Sequence, residues 1–174
     1  MNAIEIRTER KKDVDKLQYI SRQTFYETFE STNTAADMTK YLEENLSVER
    51  LTAELNEKCS RFYFAVVRGR VIGYLKLNSG QAQTELKDDN SLEVERIYVL
   101  HEFHGRKVGQ LLYQKAMQVA KQLNADYIWL GVWEHNRKAI RFYKKNGFVE
   151  FDKHVFMLGD DRQTDIMMKL PLSS

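Results

Sequence analysis

Residues 91–148 read SLEVERIYVLHEFHGRKVGQLLYQKAMQVAKQLNADYIWLGVWEHNRKAIRFYKKNGF, and this stretch decides the fold. Its pattern predicts a strand, a glycine-containing turn, a long helix, a second strand, and a short helix that stops at Gly147. The second strand, residues 127–133, is nearly all apolar and therefore suits the buried centre of a sheet. The long helix carries apolar residues at steps of three and four, which is typical of a helix packed on a sheet: Val108, Leu111, Leu112, Ala116, Val119, Ala120 and Leu123.

The flanking segments extend this pattern into a mixed α/β sheet. Residues 3–7 alternate as a short strand does, and residues 13–29 keep helical spacing. Two further helices begin after the capping residues Thr34 and Ser47. A hairpin of two strands precedes the central stretch, and two more strands follow it. This order predicts a single domain over residues 1–174, with helices on both faces of the sheet.

The first strand of the central stretch contains a break in its alternation. Leu92 and Val94 are apolar at even positions, whereas Ile97 and Val99 are apolar at odd positions. Because side chains alternate with a period of two, a regular strand cannot place both pairs on one face. A β-bulge near Glu95–Arg96 would absorb the slip and free backbone groups for a ligand. A strand buried on both faces is the alternative.

Gly131 stands inside the apolar strand. A glycine there weakens the strand, and it often marks the close approach of a ligand or of another backbone. Packing against the neighbouring Trp129 or Trp133 is the alternative explanation.

The turn at residues 104–109, HGRKVG, lies between the first strand and the long helix. Successive backbone N–H groups of such a turn can hold phosphate oxygens, and the helix dipole adds its positive end. Arg106 and Lys107 bring positive charge to the same place. The turn therefore predicts a site for a diphosphate.

Composition and spacing exclude several classes of protein. The chain is 43% hydrophobic and 30% charged, as soluble globular domains are, and its net charge of +2 is too small to indicate a nucleic-acid or membrane partner. No apolar run approaches about 20 residues and no signal core is evident, so a cytoplasmic location is expected. Cys59 is the only cysteine, which excludes an intrachain disulfide. His101 and His104 lack further ligands at suitable spacing, so no metal site is expected.

Two motifs resemble those of the GNAT superfamily of N-acetyltransferases. The family's acetyl-CoA turn, Q/R-x-x-G-x-G/A, aligns with residues 104–109, where His104 replaces the usual Gln or Arg and Lys107 replaces the first glycine. The segments LEVERIYV, IWLGVWE and GDDRQTDIMM are similar in particular to bacterial spermidine/spermine N-acetyltransferases. The second motif, N-x-x-A-x-x-x-Y followed by G-F, is present in full as Asn136, Ala139, Tyr143, Gly147 and Phe148.

The resemblance implies a mixed, mostly antiparallel, twisted seven-stranded sheet with a bulged and splayed central strand. It implies acetyl-CoA as the cosubstrate, with no metal. A lysine at position 107 tolerates a positive φ poorly, yet it would add a cation beside the diphosphate. The residues expected to bind acetyl-CoA are Ile97, Tyr98, Val99, His104, Gly105, Arg106, Lys107, Val108, Gly109, Gln110, Asn136 and Tyr143.

The resemblance also implies a reaction, in which a primary amine attacks acetyl-CoA directly in a ternary complex. A backbone N–H near Ile97–Val99 would bind the thioester carbonyl oxygen, and Tyr143 would protonate the leaving thiolate. Glu95, at the expected bulge, is the candidate base that takes the amine proton, and Glu93 is its substitute. The alternative is that Glu95 only pairs with Arg96 or with a neighbouring strand.

Acidic and aromatic residues are concentrated in the N-terminal helices, where members of the family vary. Carboxylates and aromatic faces suit the ammonium groups of a polyamine, so Tyr26, Glu27 and Glu30, together with Glu93, are predicted to bind the amine. A solvated helix face is the alternative. Two further functions stay open: acetylation of protein N-termini or lysines, and a non-catalytic module that senses acyl-CoA or a polyamine. The resemblance also allows a homodimer.

Overall fold

The structure is a computed structural model that describes residues 3–9 and 11–172. Residues 1, 2, 10, 173 and 174, which the single-domain prediction includes, lie outside the described residues. The helices are α1 (Val14–Phe29), α2 (Ala35–Asn45), α3 (Val48–Asn56), α4 (Val108–Gln122) and α5 (Arg137–Lys145). The strands are β1 (Glu5–Thr8), β2 (Ser60–Val67), β3 (Arg70–Ser79), β4 (Ser91–Val99), β5 (Tyr127–Trp133), β6 (Val149–Leu158) and β7 (Asp161–Pro171).

The seven strands form one sheet in the order β1-β2-β3-β4-β5-β7-β6. Strands β4 and β5 run parallel and are connected by α4, as a parallel pair requires. The other five pairings between described strands are antiparallel. Both α1 and α4 pack over β3 and β4. The mixed, mostly antiparallel seven-stranded sheet predicted from the sequence is therefore confirmed.

Two helices begin where the sequence indicated. Thr34 Oγ1 accepts a hydrogen bond from Asp37 N at 3.1 Å, and Ser47 Oγ accepts one from Arg50 N at 3.1 Å. Each bond satisfies a first-turn N–H that has no partner within its helix. In the described part of the chain, no helix has the length and apolar character needed to cross a membrane. The buried core under the helices includes Leu17, Ile20, Leu51, Leu75, Leu112 and Ala116.

The phase slip in β4 is a β-bulge. Lys76 of β3 pairs with Arg96, but the next residue of β3, Leu77, pairs with Val94. Glu95 is thus the additional residue on β4 and has no counterpart on β3. The bulge predicted near Glu95–Arg96 is confirmed.

The two central strands separate at this bulge. The pairing of β4 with β5 covers only Ser91–Val94, opposite residues 127–130. Residues 96–99 of β4 remain paired with β3 on the other side. The side of β4 that faces β5 therefore carries backbone groups that the sheet does not use. The gap between the two strands is where the candidate site lies.

The turn between β6 and β7 packs closely on α2. Gly159 has φ +63°, and a Cβ built on it would lie 2.6 Å from the Cα of Asp37. Asp37 Oδ1 accepts a hydrogen bond from Asp160 N at 3.0 Å, and Lys40 Nζ pairs with Asp160 Oδ1 at 2.9 Å. Glycine is therefore required at position 159 both for its backbone conformation and for its lack of a side chain.

Replacing Gly159 with alanine should lower the free energy of unfolding by roughly 2–4 kcal/mol. Alanine is strained at a positive φ, and its Cβ would also displace α2. Gly69→Ala is the matched control. Gly69 also has a positive φ, +75°, but a Cβ there would meet nothing within 4 Å. Gly69→Ala should therefore lower the free energy of unfolding by only roughly 1 kcal/mol, which is the cost of the positive φ alone. Equal losses in urea unfolding would contradict the close contact with α2.

Candidate active site

A cavity of about 230 Å³ lies where β4 and β5 separate. Ile97 and Tyr98 line it from the free side of β4, and Leu130 and Val132 line it from β5. Side chains of α1, α2, α5, β6 and β7 complete its walls. The cavity thus brings unused β4 backbone into contact with side chains from most of the fold.

The turn between β4 and α4 has the backbone shape of an anion site. Gly105 has φ 79°, and Lys107, at the N-cap of α4, has φ 63° and ψ 19°. The first hydrogen bond of the helix runs from Leu111 N to Lys107 O at 3.2 Å, so the three preceding N–H groups have no partner within the helix. With the helix dipole, such groups suit the oxygens of a diphosphate. They belong to Val108, Gly109 and Gln110.

Lys107 adopts a glycine-like conformation at the position where the family pattern has glycine. The left-handed region costs a non-glycine residue roughly 1–2 kcal/mol. The side chains of Arg106 and Lys107 are exposed at the turn, and the Arg106 guanidinium lies 5.3 Å from the centre of the Phe103 ring. Both cations therefore lie at the start of α4, where they would attract a diphosphate.

Replacing Lys107 with glutamine should weaken CoA binding about two- to fivefold, because an exposed ion pair contributes roughly 0.2–1 kcal/mol. The loss should shrink at high salt, where such attraction is screened. Lys121→Gln, at the far end of α4, is the matched control and should leave the Kd unchanged. Titration calorimetry at two salt concentrations measures both. Equal Kd values for the two variants would contradict a diphosphate at the turn.

Two hydrogen bonds hold this turn against its neighbours. His104 Nε2 lies 2.8 Å from Val99 O, at the end of β4. His101 N donates to Glu27 Oε1 of α1 at 2.9 Å. The side chain of His104 thus bonds the strand end, while its backbone begins the anion-binding turn.

The start of α5 places a polar cap and a tyrosine beside the cavity. Asn136 Oδ1 accepts from Ala139 N at 3.2 Å, and both Asn136 and Tyr143 line the cavity. Tyr143 is 6% exposed, with Phe142 and Phe148 packed at 5.4 Å from its ring. Burial raises the pKa of Tyr143 well above its usual value. The phenol therefore stays protonated at neutral pH and can donate a hydrogen bond.

Glu95 belongs to a buried ion-pair cluster. Its carboxylate lies 2.8 Å from Lys76 Nζ and 3.1 Å from Arg96 Nη2, and it accepts from Asn78 Nδ2 at 2.8 Å. Glu54 of α3 also lies 2.8 Å from both cations. Burial disfavours ionisation of Glu95, but the two cations and the hydrogen bonds outweigh it and lower its pKa to about 2.

The ion-pair cluster changes the interpretation of Glu95. The sequence offered Glu95 as the base, with pairing as the alternative, and the structure shows the pairing. A carboxylate whose pKa lies near 2 has little affinity for a proton at neutral pH, so it is poorly suited to accept one from an amine. Glu95 lines the cavity as a member of this cluster.

The other part of the cavity is aromatic. Phe29 of α1 lies 4.7 Å from Trp133 of β5 and 6.1 Å from Phe156 of β6, measured between ring centres. Phe25 stacks on Tyr41 of α2 at 4.1 Å. Because ring faces attract cations, this part suits a cationic amine. We call these five residues the aromatic wall.

Asp165 brings a carboxyl group to the aromatic wall. It pairs across β7 and β5 with Trp133, and its Oδ2 lies 3.2 Å from the point where a Cβ on Gly131 would stand. The space left by Gly131 is thus occupied by this carboxyl rather than by a tryptophan ring. Burial raises the pKa of Asp165 to about 6, and the charge of His154 on β6 partly opposes this shift. Among the described residues, we find no hydrogen-bond donor to this carboxyl.

Three of the predicted amine-binding residues lie outside the cavity. Tyr26 and Glu27 are exposed on α1, Glu30 is exposed directly after it, and Glu27 is bonded to the segment after β4. The helical period explains the difference, because it turns Phe25 and Phe29 towards the cavity and these three away from it.

Glu93 also lies away from the cavity. It is 3% exposed, and its Oε1 accepts from Asn78 Nδ2 at 3.0 Å and from Thr84 N at 2.9 Å. It therefore holds the loop after β3 and is not placed to contact an amine. Within residues 3–9 and 11–172, no three His, Cys, Asp or Glu side chains are grouped as a metal site would require.

Asp165 is not among the site residues predicted from the sequence. An acidic residue that alternates with apolar ones, as Asp165 does beside Ile166, is typical of the solvent face of a strand. Only its pairing with β5 places it in the cavity. The one sequence signal was Gly131, whose missing side chain marked the space that the carboxyl occupies.

These features fit acetyl-CoA. The gap beside β4 offers backbone groups to an amide-bearing arm, the turn at α4 offers N–H groups and cations to a diphosphate, and Tyr143 offers a proton donor in the wall of the cavity. A splayed parallel pair with these three parts defines an acyl-CoA-dependent acyltransferase.

The chain belongs to the Acetyltransferase (GNAT) family, whose sequence model matches residues 22–148. It is an acetyl-CoA-dependent N-acetyltransferase, as the two motifs predicted. It is 42% identical over 172 residues to an uncharacterized N-acetyltransferase in the pepI 3' region of Lactobacillus delbrueckii subsp. lactis, and the match covers 99% of each chain.

One further relative and one solved structure are similar to this chain. The chain is 32% identical over 127 residues to an N-alpha-acetyltransferase of Sulfurisphaera tokodaii, covering 69% of this chain and 76% of that one. Its fold matches the crystal structure of PaiA N-acetyltransferase from Thermoplasma acidophilum in complex with coenzyme A, with a TM-score of 0.80. That match has 23% sequence identity and covers 98% of this chain and 99% of the other.

Proposed function

We propose that this enzyme acetylates a primary amine of a small polyamine, which attacks acetyl-CoA directly within a ternary complex. The observation that carries the proposal is the pairing of the aromatic wall with the carboxyl group of Asp165 in one cavity. An ammonium group gains from both, through charge and through cation–π attraction. The alkyl segments between the ammonium groups of a polyamine can also pack on the rings.

The residues of the chain take distinct parts in this proposal. Acetyl-CoA supplies the acetyl group as a thioester. The N–H groups at the start of α4, with Arg106 and Lys107, hold the diphosphate. The backbone of Ile97–Val99 bonds the amide-bearing arm and the carbonyl oxygen of the thioester. Tyr143 donates its proton towards the sulfur, and Asn136 fixes the start of the helix that carries Tyr143.

The size of the cavity favours a slender acceptor. Sites for drug-sized ligands occupy roughly 300–1,000 Å³, whereas this cavity has about 230 Å³. The exposed carboxylates of α1 and α2 lie outside it and, in this proposal, raise the local concentration of a polycation without contacting it.

A protein N-terminus is the second candidate acceptor. The 32% identity to an N-alpha-acetyltransferase favours it. This acceptor also presents a primary amine, but it requires room for an extended peptide beyond the aromatic wall. A purely sensing module is disfavoured by the family assignment and by the position of Tyr143 at the cavity.

Thiol release from acetyl-CoA, measured against a panel of amines, tests the proposal. The panel holds spermidine, spermine, an aminoglycoside, free amino acids and peptides with free N-termini. We expect the highest kcat/KM with spermidine or spermine. The matched control is spermidine with every nitrogen methylated to a quaternary ammonium, which keeps its charge but has no N–H to lose and no lone pair, and it should release no thiol. Preference for a peptide, or no release with any amine, would overturn the proposal.

A further inference from the structure

Among the described residues that line the cavity, Asp165 is the one carboxyl group outside the ion-pair cluster. We propose that Asp165 is the general base that takes the proton from the attacking amine, an inference that rests on the amine acetylation proposed above. Its role differs from that of Glu95, which is held by Lys76 and Arg96.

The position of Asp165 fits an acceptor for the amine proton. It stands opposite Trp133 in the β5–β7 pair, on the part of the cavity where the ring faces suit an ammonium group. Its carboxyl fills the space that Gly131 leaves and lines the cavity from there, so a ligand in the cavity can reach it. The unpaired side of β4, where the thioester carbonyl would bind, lines the same cavity.

The two carboxyl groups of the cavity differ in their affinity for a proton. Burial raises the pKa of Asp165 to about 6, whereas the cations lower the pKa of Glu95 to about 2. A base is most effective when its pKa lies near the working pH and its carboxylate form is populated. At pH 7–8 Asp165 is ionised and still binds a proton far better than Glu95 does.

The proposed step is balanced within the ternary complex. One proton of the bound ammonium group first passes to an Asp165 carboxylate oxygen, which frees the nitrogen lone pair to form the C–N bond. The C–S bond breaks, its electron pair stays on sulfur, and Tyr143 donates the proton that completes the thiol. The surplus proton of the acetylated nitrogen restores the Tyr143 hydroxyl, Asp165 releases its proton to solvent, and no oxidant or metal is consumed.

Other ionisable groups face Asp165 from the neighbouring elements. His154 of β6 is its cross-strand partner and forms an ion pair with Glu85. Glu95 and Arg96 of β4 form an ion pair with each other. The phenols around it are Tyr41 of α2 and Tyr98 of β4, and burial raises both of their pKa values. Both phenols therefore stay neutral near pH 7, and the control for the remaining neighbour is a variant at His154.

The test is the pH dependence of kcat for Asp165→Asn, measured with spermidine or with the best amine of the panel. The wild type should lose activity as the pH falls through about 6, because the base becomes protonated. At pH 7.5 the kcat of the variant should be about 10²- to 10⁴-fold lower than that of the wild type. The kcat of the variant should show no further fall through pH 6, and its Kd for CoA should be unchanged. His154→Gln should still lose kcat as the pH falls through about 6. Asp152→Asn, the same change on the exposed face of β6, should retain wild-type kcat.

Stability provides a readout that needs no substrate. A raised pKa means that the native state binds a proton more tightly than the unfolded chain, so ionised Asp165 destabilises the fold above pH 6. Asp165→Asn should therefore raise Tm by roughly 5 °C at pH 8. The difference should shrink as the pH falls through 6 towards 4.

Three results would overturn the base assignment. The first is a kcat of Asp165→Asn that still falls through pH 6, and the second is a kcat of this variant within fivefold of the wild type. The third is a variant in which only the KM for the amine rises. The last would make Asp165 an ammonium anchor. A wild type that acetylates no amine at all would instead defeat the proposed function, so the two failures are distinguishable.

Discussion

Tyr143→Phe should lower kcat by about 10²- to 10³-fold while leaving the Kd for CoA within twofold. The substitution removes one hydroxyl from a ring that is otherwise packed by Phe142 and Phe148, so the fold should be unaffected. The leaving sulfur loses its hydrogen-bond donor, and its developing negative charge is then left unstabilised. Because burial raises the pKa of Tyr143, the donor should stay protonated throughout the ordinary assay range.

The control for this variant is Tyr113→Phe. Tyr113 lies on α4 and is 8% exposed, with Phe142 and Phe148 as ring neighbours, but it does not line the cavity. The chemical change is the same, so kcat should stay near the wild-type value. Equal activity of Tyr143→Phe and the wild type would remove the tyrosine from the proton transfer. Comparable losses in both variants would point to packing instead.

Glu95→Gln should lower the free energy of unfolding at pH 7 by roughly 3–5 kcal/mol, because it leaves the buried cations Lys76 and Arg96 short of a counter-charge. The depressed pKa of Glu95 fixes the pH window. Its contribution is fully present above the ordinary glutamate range and is lost as the pH falls through about 2. Chemical denaturation of the variant and the wild type at pH 7, and again towards pH 3, measures the difference in their free energies of unfolding and its decrease in acid.

The matched control for Glu95 is Glu102→Gln. Glu102 pairs with Arg70 at 2.6 Å, but both side chains are at least half exposed, so the loss should stay below about 1 kcal/mol. The folded fraction of Glu95→Gln should keep kcat within tenfold of the wild type. A stable Glu95→Gln protein that has lost its acid limb and most of its kcat would restore Glu95 as the base.

The two cavity carboxyls thus have opposite effects on stability. Glu95 stabilises the fold through its ion pairs with Lys76 and Arg96. Ionised Asp165 destabilises the fold and remains available to a ligand. A group held in an unfavourable environment at a functional site commonly lowers stability where it serves activity.

The sequence predicted those features that depend on local spacing. The slip between Val94 and Ile97 identified the bulge, the regular apolar stripe identified α4, and the residues at Thr34 and Ser47 identified two helix starts. Each of these is set by neighbours within a few residues, where periodicity and capping chemistry act directly.

The sequence failed where the outcome depends on distant pairing. Asp165 and Trp133 are brought together only by the strand order β5-β7-β6. The cluster around Glu95 depends on Glu54, a residue of α3 that is remote in sequence. Glu27 and Glu30 were predicted from their charge, whereas the helical period turns Phe25 and Phe29, and not these two residues, towards the cavity.

A crystal structure with bound CoA tests the site most directly. We predict that the pantetheine arm lies between β4 and β5 and bonds the backbone of residues 95–99, with the diphosphate on the N–H groups of residues 105–110. The thiol should lie beside Tyr143, and the space next to Asp165 should remain open to an amine. A structure in which β4 and β5 pair beyond Val94, with CoA bound elsewhere, would contradict this arrangement.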